Sequence, residues 1–255
     1  MESTPKVIQS VQRAIDILEC FDYEKKELSL SEISEALNLN PSTVHGILLT
    51  LQMNEYIEKL PEKTKYKLGI KLIEKGTMVL DSLDLRDIVR PYLELLTNKF
   101  KETSHLCIYR NNTLYVIDKL ESLLSTFFMT SEVGLKIPLH SSASGKLILA
   151  YLDEKDLNKV LKGINLRRYT ENTLSDIDTI KQDLKKIKSQ GYSFENEEIE
   201  LGLYTIAAPI FNHKSDIIAT ISVLGPAMRM KEKQKMIVED LVSYSKKISK
   251  SIGHN

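Results

Sequence analysis

Two short helical patterns separated by a few polar residues constrain this chain more than any other feature. Ser29-Leu-Ser-Glu32 has the form of a capping box, in which a serine hydroxyl and a glutamate three residues on satisfy each other's orphan amides. The helix it opens spaces Leu30, Ile33 and Leu37 on one face and runs out near Asn38-Leu39-Asn40. Asn40-Pro41 restarts helix, with Asn40 as cap and Pro41 in the first turn, where its missing donor costs nothing. Val44, Ile47, Leu48 and Leu51 form the second apolar stripe. A helix pair split by so short a turn is a candidate helix-turn-helix. Behind it, YIEKLPEKTKYKLG reads as two short strands around a Pro61-Glu62-Lys63 turn, the hairpin of a winged helix.

The rest of the chain organises around that unit. Upstream, VIQSVQRAIDILECF spaces Val7, Val11, Ile15 and Leu18 as the apolar face of an amphipathic helix. The polar stretch from Tyr23 to Leu28 breaks this pattern. Downstream, residues 70–100 read as two helices meeting near Leu83-Asp84. Leu72, Ile73, Val79, Leu80 and Leu83 supply their apolar faces. Beyond them SHLCIYR, TLYVIDKL, LSTFFMT, YSFENEE, TIAAPIF and IIATISVLG read as strands. SASGKLILAYL, residues 176–189 and the closing MKEKQKMIVEDLVSYSKKISKSI read as helices. The expected fold is α+β, with an antiparallel sheet flanked by helices behind the N-terminal unit. Expected boundaries are 1–69 for the winged helix-turn-helix, 70–83 for a linker helix and 84–255 for the sheet domain.

A recognition helix shows polar side chains to base edges while its apolar side packs on the preceding helix. In PSTVHGILLTL the residues off the stripe are Ser42, Thr43, His45, Gly46 and Thr50, the candidate DNA-reading set. Charge opposes this in part, since residues 1–75 hold ten Lys/Arg and twelve Asp/Glu, a net −2. Its distribution answers the objection. Lys59, Lys63, Lys65, Lys67, Lys71 and Lys75 face only Glu62 and Glu74 between residues 59 and 75, a local +4 where phosphate contacts belong. Lys63 and Lys65 are the wing candidates.

Lys plus Arg (35) equals Asp plus Glu (35), so no global field advertises a polyanionic partner. No apolar run approaches the ~20 residues of a membrane span. Arg13 and Asp16 interrupt the segment where a signal peptide needs an apolar stretch, so a cytoplasmic protein is expected. An enzyme is the rival class, with Ser144 near His140 or Cys107 near His105 as the nearest catalytic sets. No G-x-S-x-G elbow frames the serine, and neither G-x-G-x-x-G nor G-x-x-x-x-G-K occurs. No catalytic residue, cofactor or metal site is assigned: two cysteines outside any CxxC and His140, His213 and His254 show no ligand spacing. Glu195, Glu197, Glu198 and Glu200, if extended, place two carboxylates on each face, the pattern of a solvated edge.

Several blocks then point one way. IQSVQRAIDILECF, LSLSEISEALNLNPSTVHGILLTLQMNEYIEK and YKLG follow one another in the order and spacing of the IclR-type transcriptional regulators. KETSHLCIY resembles that family's GET-x-HL strand, and IPLHSSASGKLILA its LPLH-x-x-x-x-GKA-x-LA segment. YTENTL, SQGYSFENEEIELG, YTIAAPIF and ISVLGP resemble its later blocks, so the likeness runs from Val7 to about Ile252.

This resemblance implies a winged helix-turn-helix, a linker helix and a GAF-like effector-binding domain. It further implies a homodimer or dimer of dimers on a palindromic double-stranded DNA operator, whose affinity answers to a small-molecule effector, an organic acid or aromatic metabolite. Carried onto this chain, the effector pocket falls on Ala143, Ser144, Glu195, Thr205, Ser222 and Leu224. Two departures stand out. The family's arginine after the recognition-helix histidine is Gly46 here, which costs the helix about 1 kcal/mol relative to Ala. Where members that hold small keto acids show Asp, Cys and a second Ser, this chain has Glu195, Thr205 and Leu224. That change points to an effector larger or less polar than glyoxylate or pyruvate. A ligand-binding module with impaired DNA reading stays open as the alternative, with Gly46 as its motive.

Overall fold

The computed structural model describes residues 7–22, 24–61, 64–81, 84–122 and 132–254, with the backbone alone at 77, 79–81 and 84. The chain divides into two compact units, residues 1–82 and 83–255.

The N-terminal unit holds α1 (Gln9–Glu19), β1 (Leu28–Ser29), α2 (Leu30–Leu37), α3 (Pro41–Met53), β2 (Ile57–Lys59), β3 (Lys65–Leu68) and α4 (Lys71–Asp81). The local chemistry read from the sequence sets its helix ends. Ser29 N–H donates to Glu32 Oε2 at 2.7 Å and Glu32 N–H to Ser29 Oγ at 3.2 Å, a complete capping box. Asn40 Oδ1 accepts the Ser42 amide at 3.0 Å, and Pro41 occupies the first turn of α3. Ile17, Phe21, Ile33, Val44, Leu48 and Ile57 make the core. Two expectations change here. The polar stretch before Ser29 ends in a strand, because β1 pairs with β3 and completes a three-stranded wing ordered β1-β3-β2. The stripe expected to be the buried face of α1 is instead exposed at Val7, Val11 and Ile15, since α1 turns Ile17 into the core. The Glu62-Lys63 turn and the side chains of Val79, Leu80 and Leu83 lie outside the described residues.

The C-terminal unit opens with α5 (Asp84–Phe100), β4 (Thr103–Arg110), β5 (Thr113–Leu120) and β6 (Lys136–Ile137). It continues through α6 (Ala143–Tyr151), α7 (Glu154–Gly163), α8 (Ile177–Gln190), β7 (Ser193–Asn196), β8 (Leu203–Phe211), β9 (Ile217–Pro226) and α9 (Ala227–Ser251). Its sheet is antiparallel in the order β6-β5-β4-β9-β8-β7, so the long central strands β4 and β9 join the two halves of the domain. Along β8, period-two alternation sends Thr205 and Ala207 to the α6 side, while Tyr204 bonds Gln234 of α9 on the other. Helix α6 is the pillar of this fold: every residue from Ala143 to Ala150 is buried. Its cap is Ser142, whose Oγ accepts the Gly145 amide at 2.9 Å and donates to Pro138 O at 2.6 Å. Glycine at 145 is required, because a Cβ there would overlap the Leu139 backbone. Helix α7 was not expected from the pattern, and the segment LSTFFMT lies outside the described residues. No helix among the described residues is long and apolar enough to cross a membrane.

Candidate nucleic-acid interface and effector cavity

With Val44 and Leu48 turned into the core, α3 shows solvent the opposite face: Ser42, His45, Gly46, Leu49, Thr50 and Met53. Thr43 is half-buried at its margin. No charged residue occurs in the helix. Two of the expected polar readers have committed protons, because Ser42 Oγ donates to Asn40 Oδ1 and Thr50 Oγ1 to Gly46 O, both at 3.0 Å. Gly46 itself faces open space, with nothing within 4 Å of where a Cβ would stand.

The wing lysines are present but engaged. Lys65 Nζ lies 3.8 Å from Glu32, Lys67 Nζ 3.1 Å from Glu58, and Lys71 and Lys75 reach Glu74 at 2.6 and 2.9 Å. Exposed pairs of this kind contribute about 0–1 kcal/mol, so a phosphate can take over these lysines at small cost. Lys63 lies outside the described residues.

In the C-terminal unit, a cavity of about 130 Å³ opens between the first turn of α6 and the α6 side of β4, β8 and β9. Ala143, Ser144, Thr205, Ser222 and Leu224 all line it, which brings together five of the six residues expected around an effector. They lie as far apart in sequence as 143 and 224 and meet because Thr205 pairs across the sheet with Leu224, and Ser222 with His105. The sixth, Glu195, is fully buried and outside the lining. It reaches the cavity through Thr205, whose Oγ1 donates to Glu195 Oε2 at 3.0 Å. Glu195 Oε1 accepts the amides of Glu198 and Ile199 at 2.7 and 3.2 Å, so this carboxylate shapes the turn after β7.

The solvated-edge reading of the acidic cluster is therefore corrected for two of its members. Strand β7 ends at Asn196, and residues 197–200 turn instead of extending. Glu198 is buried against Lys146 at 2.5 Å, a partner 52 residues away that no local spacing announces. Glu200 stays exposed, at the rim of the cavity.

Ten residues not expected at the site also line the cavity, among them His105, Cys107 and Lys136. Residues 105 and 107 share one face of β4, and that period of two was the available signal. Both are unsuited to catalysis. Burial drives the His105 ring down to about 3, assisted by Lys119, and pushes the Cys107 thiol up to about 12. At neutral pH the pair is a neutral imidazole and a thiol, with neither the thiolate nor the poised base that nucleophilic chemistry needs. His140 is engaged elsewhere, with Nε2 donating to Arg167 O at 3.0 Å and its ring stacked on Tyr169. Among the described residues no group of three His, Cys, Asp or Glu side chains is arranged to hold a metal.

Burial pushes the Glu195 carboxyl up to about 7, against the pull of its amide and hydroxyl donors. The folded state therefore holds a proton that the unfolded chain, titrating near 4.5, has already released. Stability is lost as pH rises, and between pH 6.5 and 8 the loss integrates to about 1 kcal/mol. His105 acts with the opposite sign in a lower window: below pH 6.5 the unfolded chain gains a proton that the buried ring refuses. The transition of the C-terminal unit should fall by about 2–4 °C between pH 6.5 and 8. In Glu195→Gln it should stay level across that window. A level transition in the native protein would contradict the assignment.

A three-stranded wing behind an α2–α3 pair, joined to a domain whose sheet and pillar helix enclose a small cavity, defines a one-component DNA-binding regulator with a ligand-binding domain. Comparison with known proteins agrees. Residues 10–61 match the IclR helix-turn-helix domain, and residues 77–250 match the bacterial transcriptional regulator IclR C-terminal domain. The chain belongs to the IclR family of bacterial transcriptional regulators. It is 37% identical to the HTH-type transcriptional regulator XynR of Escherichia coli over 217 residues, covering 85% of this chain and 86% of that one. It is 31% identical to the HTH-type transcriptional regulator KdgR of the same organism, over 100% of this chain and 97% of the relative. The crystal structure of Thermotoga maritima IclR superposes with a TM-score of 0.73 at 32% identity, covering 96% of this chain and 99% of that one. These relatives are regulators and not enzymes, which sets the catalytic reading aside.

Proposed function

We propose that this regulator binds a palindromic operator as a homodimer or dimer of dimers, and that a small organic acid in the C-terminal cavity shifts its DNA affinity. Two copies of α3 enter successive major grooves about 34 Å apart. The observation carrying the effector reading is the convergence of Ala143, Ser144, Thr205, Ser222 and Leu224, from three separate elements, on one cavity. A cavity of about 150 Å³ holds benzene, so about 130 Å³ suits a compact ligand of roughly that size. Serine hydroxyls and Lys136 suit a single carboxylate, while Leu135, Ile137, Leu203 and Leu224 suit an apolar body. This chemistry favours a benzoate-sized or branched-chain monocarboxylate over glyoxylate.

Thr205 gives the site a direction. With Glu195 ionised, the Thr205 proton is held there and Thr205 faces a ligand as an acceptor; a protonated Glu195, whose Oε1 already accepts two amides, donates from Oε2 and frees that proton for the ligand. Dimerisation is supported by two apolar sets left exposed in the single chain, Val7, Val11 and Ile15 around α1, and Ile70 and Ile73 at α4. Ligand control of this kind is a population shift, so the effector must bind the two arrangements of the reading heads with different affinity.

The test is fluorescence anisotropy of the full chain on duplexes enriched from a random pool, with benzoate, 2-oxoisovalerate and glyoxylate added in turn. Enrichment of a palindrome, and a benzoate or 2-oxoisovalerate effect on its Kd that Leu224→Ser weakens, supports the reading. A stable monomer that binds one half-site tightly would overturn the dimer, and glyoxylate acting alone would overturn the effector class.

A further inference from the structure

The exposed face of α3 carries an unexpected chemistry. At 3.6 residues per turn, Ser42, Gly46, Leu49 and Met53 fall on one line along the helix, opposite the buried Val44, Leu48 and Leu51 side. His45 and Gln52 flank this line on one side and Thr50 on the other. The line is empty of charge, and Ser42 and Thr50 spend their hydroxyl protons on Asn40 Oδ1 and on the helix's own Gly46 carbonyl. Gly46 contributes no side chain and leaves open space. What projects furthest is apolar: Leu49 is 49% exposed and Met53 77%. Both sit where burial within the N-terminal unit is impossible, since that unit's core lies on the other side of the helix.

In the major groove, the apolar feature of a base edge is the C5-methyl group of thymine. A reader with guanidinium or ammonium groups takes guanine O6 and N7, and α3 has neither. We infer that Leu49 and Met53 read thymine methyl groups in the major groove, making this helix a reader of thymine-bearing steps instead of guanine edges. The inference rests on α3 being the helix that enters the groove. His45 and Thr43 supply the remaining polar contacts.

The experiment uses the full-length protein and a duplex enriched from a random pool, then resynthesised with deoxyuridine replacing thymidine one position at a time. Uracil keeps the Watson–Crick pairing and removes only the methyl group. Binding should weaken about fourfold for each contacted methyl removed, the worth of one buried methylene-sized group. In Leu49→Ala and Met53→Ala the thymine-to-uracil ratio should fall toward one at the matching position, a readout that a general loss of affinity does not move. If every uracil duplex binds native protein as the thymine duplex does, methyl reading is wrong while DNA binding stands. If discrimination survives in both alanine variants, another group reads the methyl and the assignment fails. If no duplex is enriched at all, the underlying DNA-binding reading fails with it.

Discussion

Lys146→Met is expected to destabilise the C-terminal unit by about 3–5 kcal/mol, because it leaves the Glu198 carboxylate buried without its cation. Lys146 is itself buried, in the wholly buried helix α6, with Glu198 Oε1 at 2.5 Å and Asp183 Oδ2 at 3.3 Å. Burial already pushes the Glu198 carboxyl upward, and Lys146 is the main force opposing that push. Glu198 follows directly on the turn anchored by Glu195 Oε1, and Ser144, two residues before Lys146, lines the cavity. Loss of the pair should therefore loosen both walls of the cavity along with the fold. The double variant Lys146→Met, Glu198→Leu removes both charges and should recover most of the loss, since apolar replacement of a buried pair is often close to neutral. Chemical denaturation of the three proteins decides it: equal destabilisation of single and double variants would mean that packing volume, not the uncompensated charge, is what matters.

Gly46→Arg is expected to raise both helix stability and DNA affinity. The position is exposed, mid-helix, and open on every side, so an arginine fits without displacing a neighbour. Removing a helical glycine contributes about 1 kcal/mol. The guanidinium, centred on the line of Ser42, Leu49 and Met53, gains a guanine edge or a phosphate, worth about 1–3 kcal/mol, or roughly fivefold to more than 100-fold in Kd. The steepness of the salt dependence should rise by about one counterion per protomer if the contact is a phosphate, and preference should move toward G·C if it is a base. A raised melting temperature with unchanged affinity and salt slope would mean that this face of α3 does not meet DNA.

Much of the molecule was legible because its signals are local. The Ser29–Glu32 box, the Asn40-Pro41 start and the apolar stripe of α3 depend on contacts within four residues, and all three are realised as read. The strand patterns at residues 104–110 and 113–120 were legible for the same reason, since a short run rich in β-branched, aromatic and apolar residues is a property of the strand itself. The short strand at Leu28–Ser29 was not, because two residues carry no period and exist as a strand only through pairing with β3. Helix α1 shows the other limit: its spacing correctly announces an apolar stripe, yet the single chain buries Ile17 and leaves Val11 and Ile15 outside.

By itself, then, the sequence determined most of the longer elements and the caps of α2 and α3, and through its family resemblance it named five residues that share one cavity. Tertiary structure decided what those residues can do. Whether Glu195 is a solvated acid or a buried anchor depends on amides at 198 and 199 and a hydroxyl at 205, brought together by the turn after β7. Whether Glu198 is a surface charge or half of a buried pair depends on Lys146, which the packing of α6 against the sheet domain carries to it. The physical reason is common to both. Backbone propensity and capping act over one turn, whereas the solvation and protonation of a polar side chain are set by whichever distant groups the fold places within 3 Å of it.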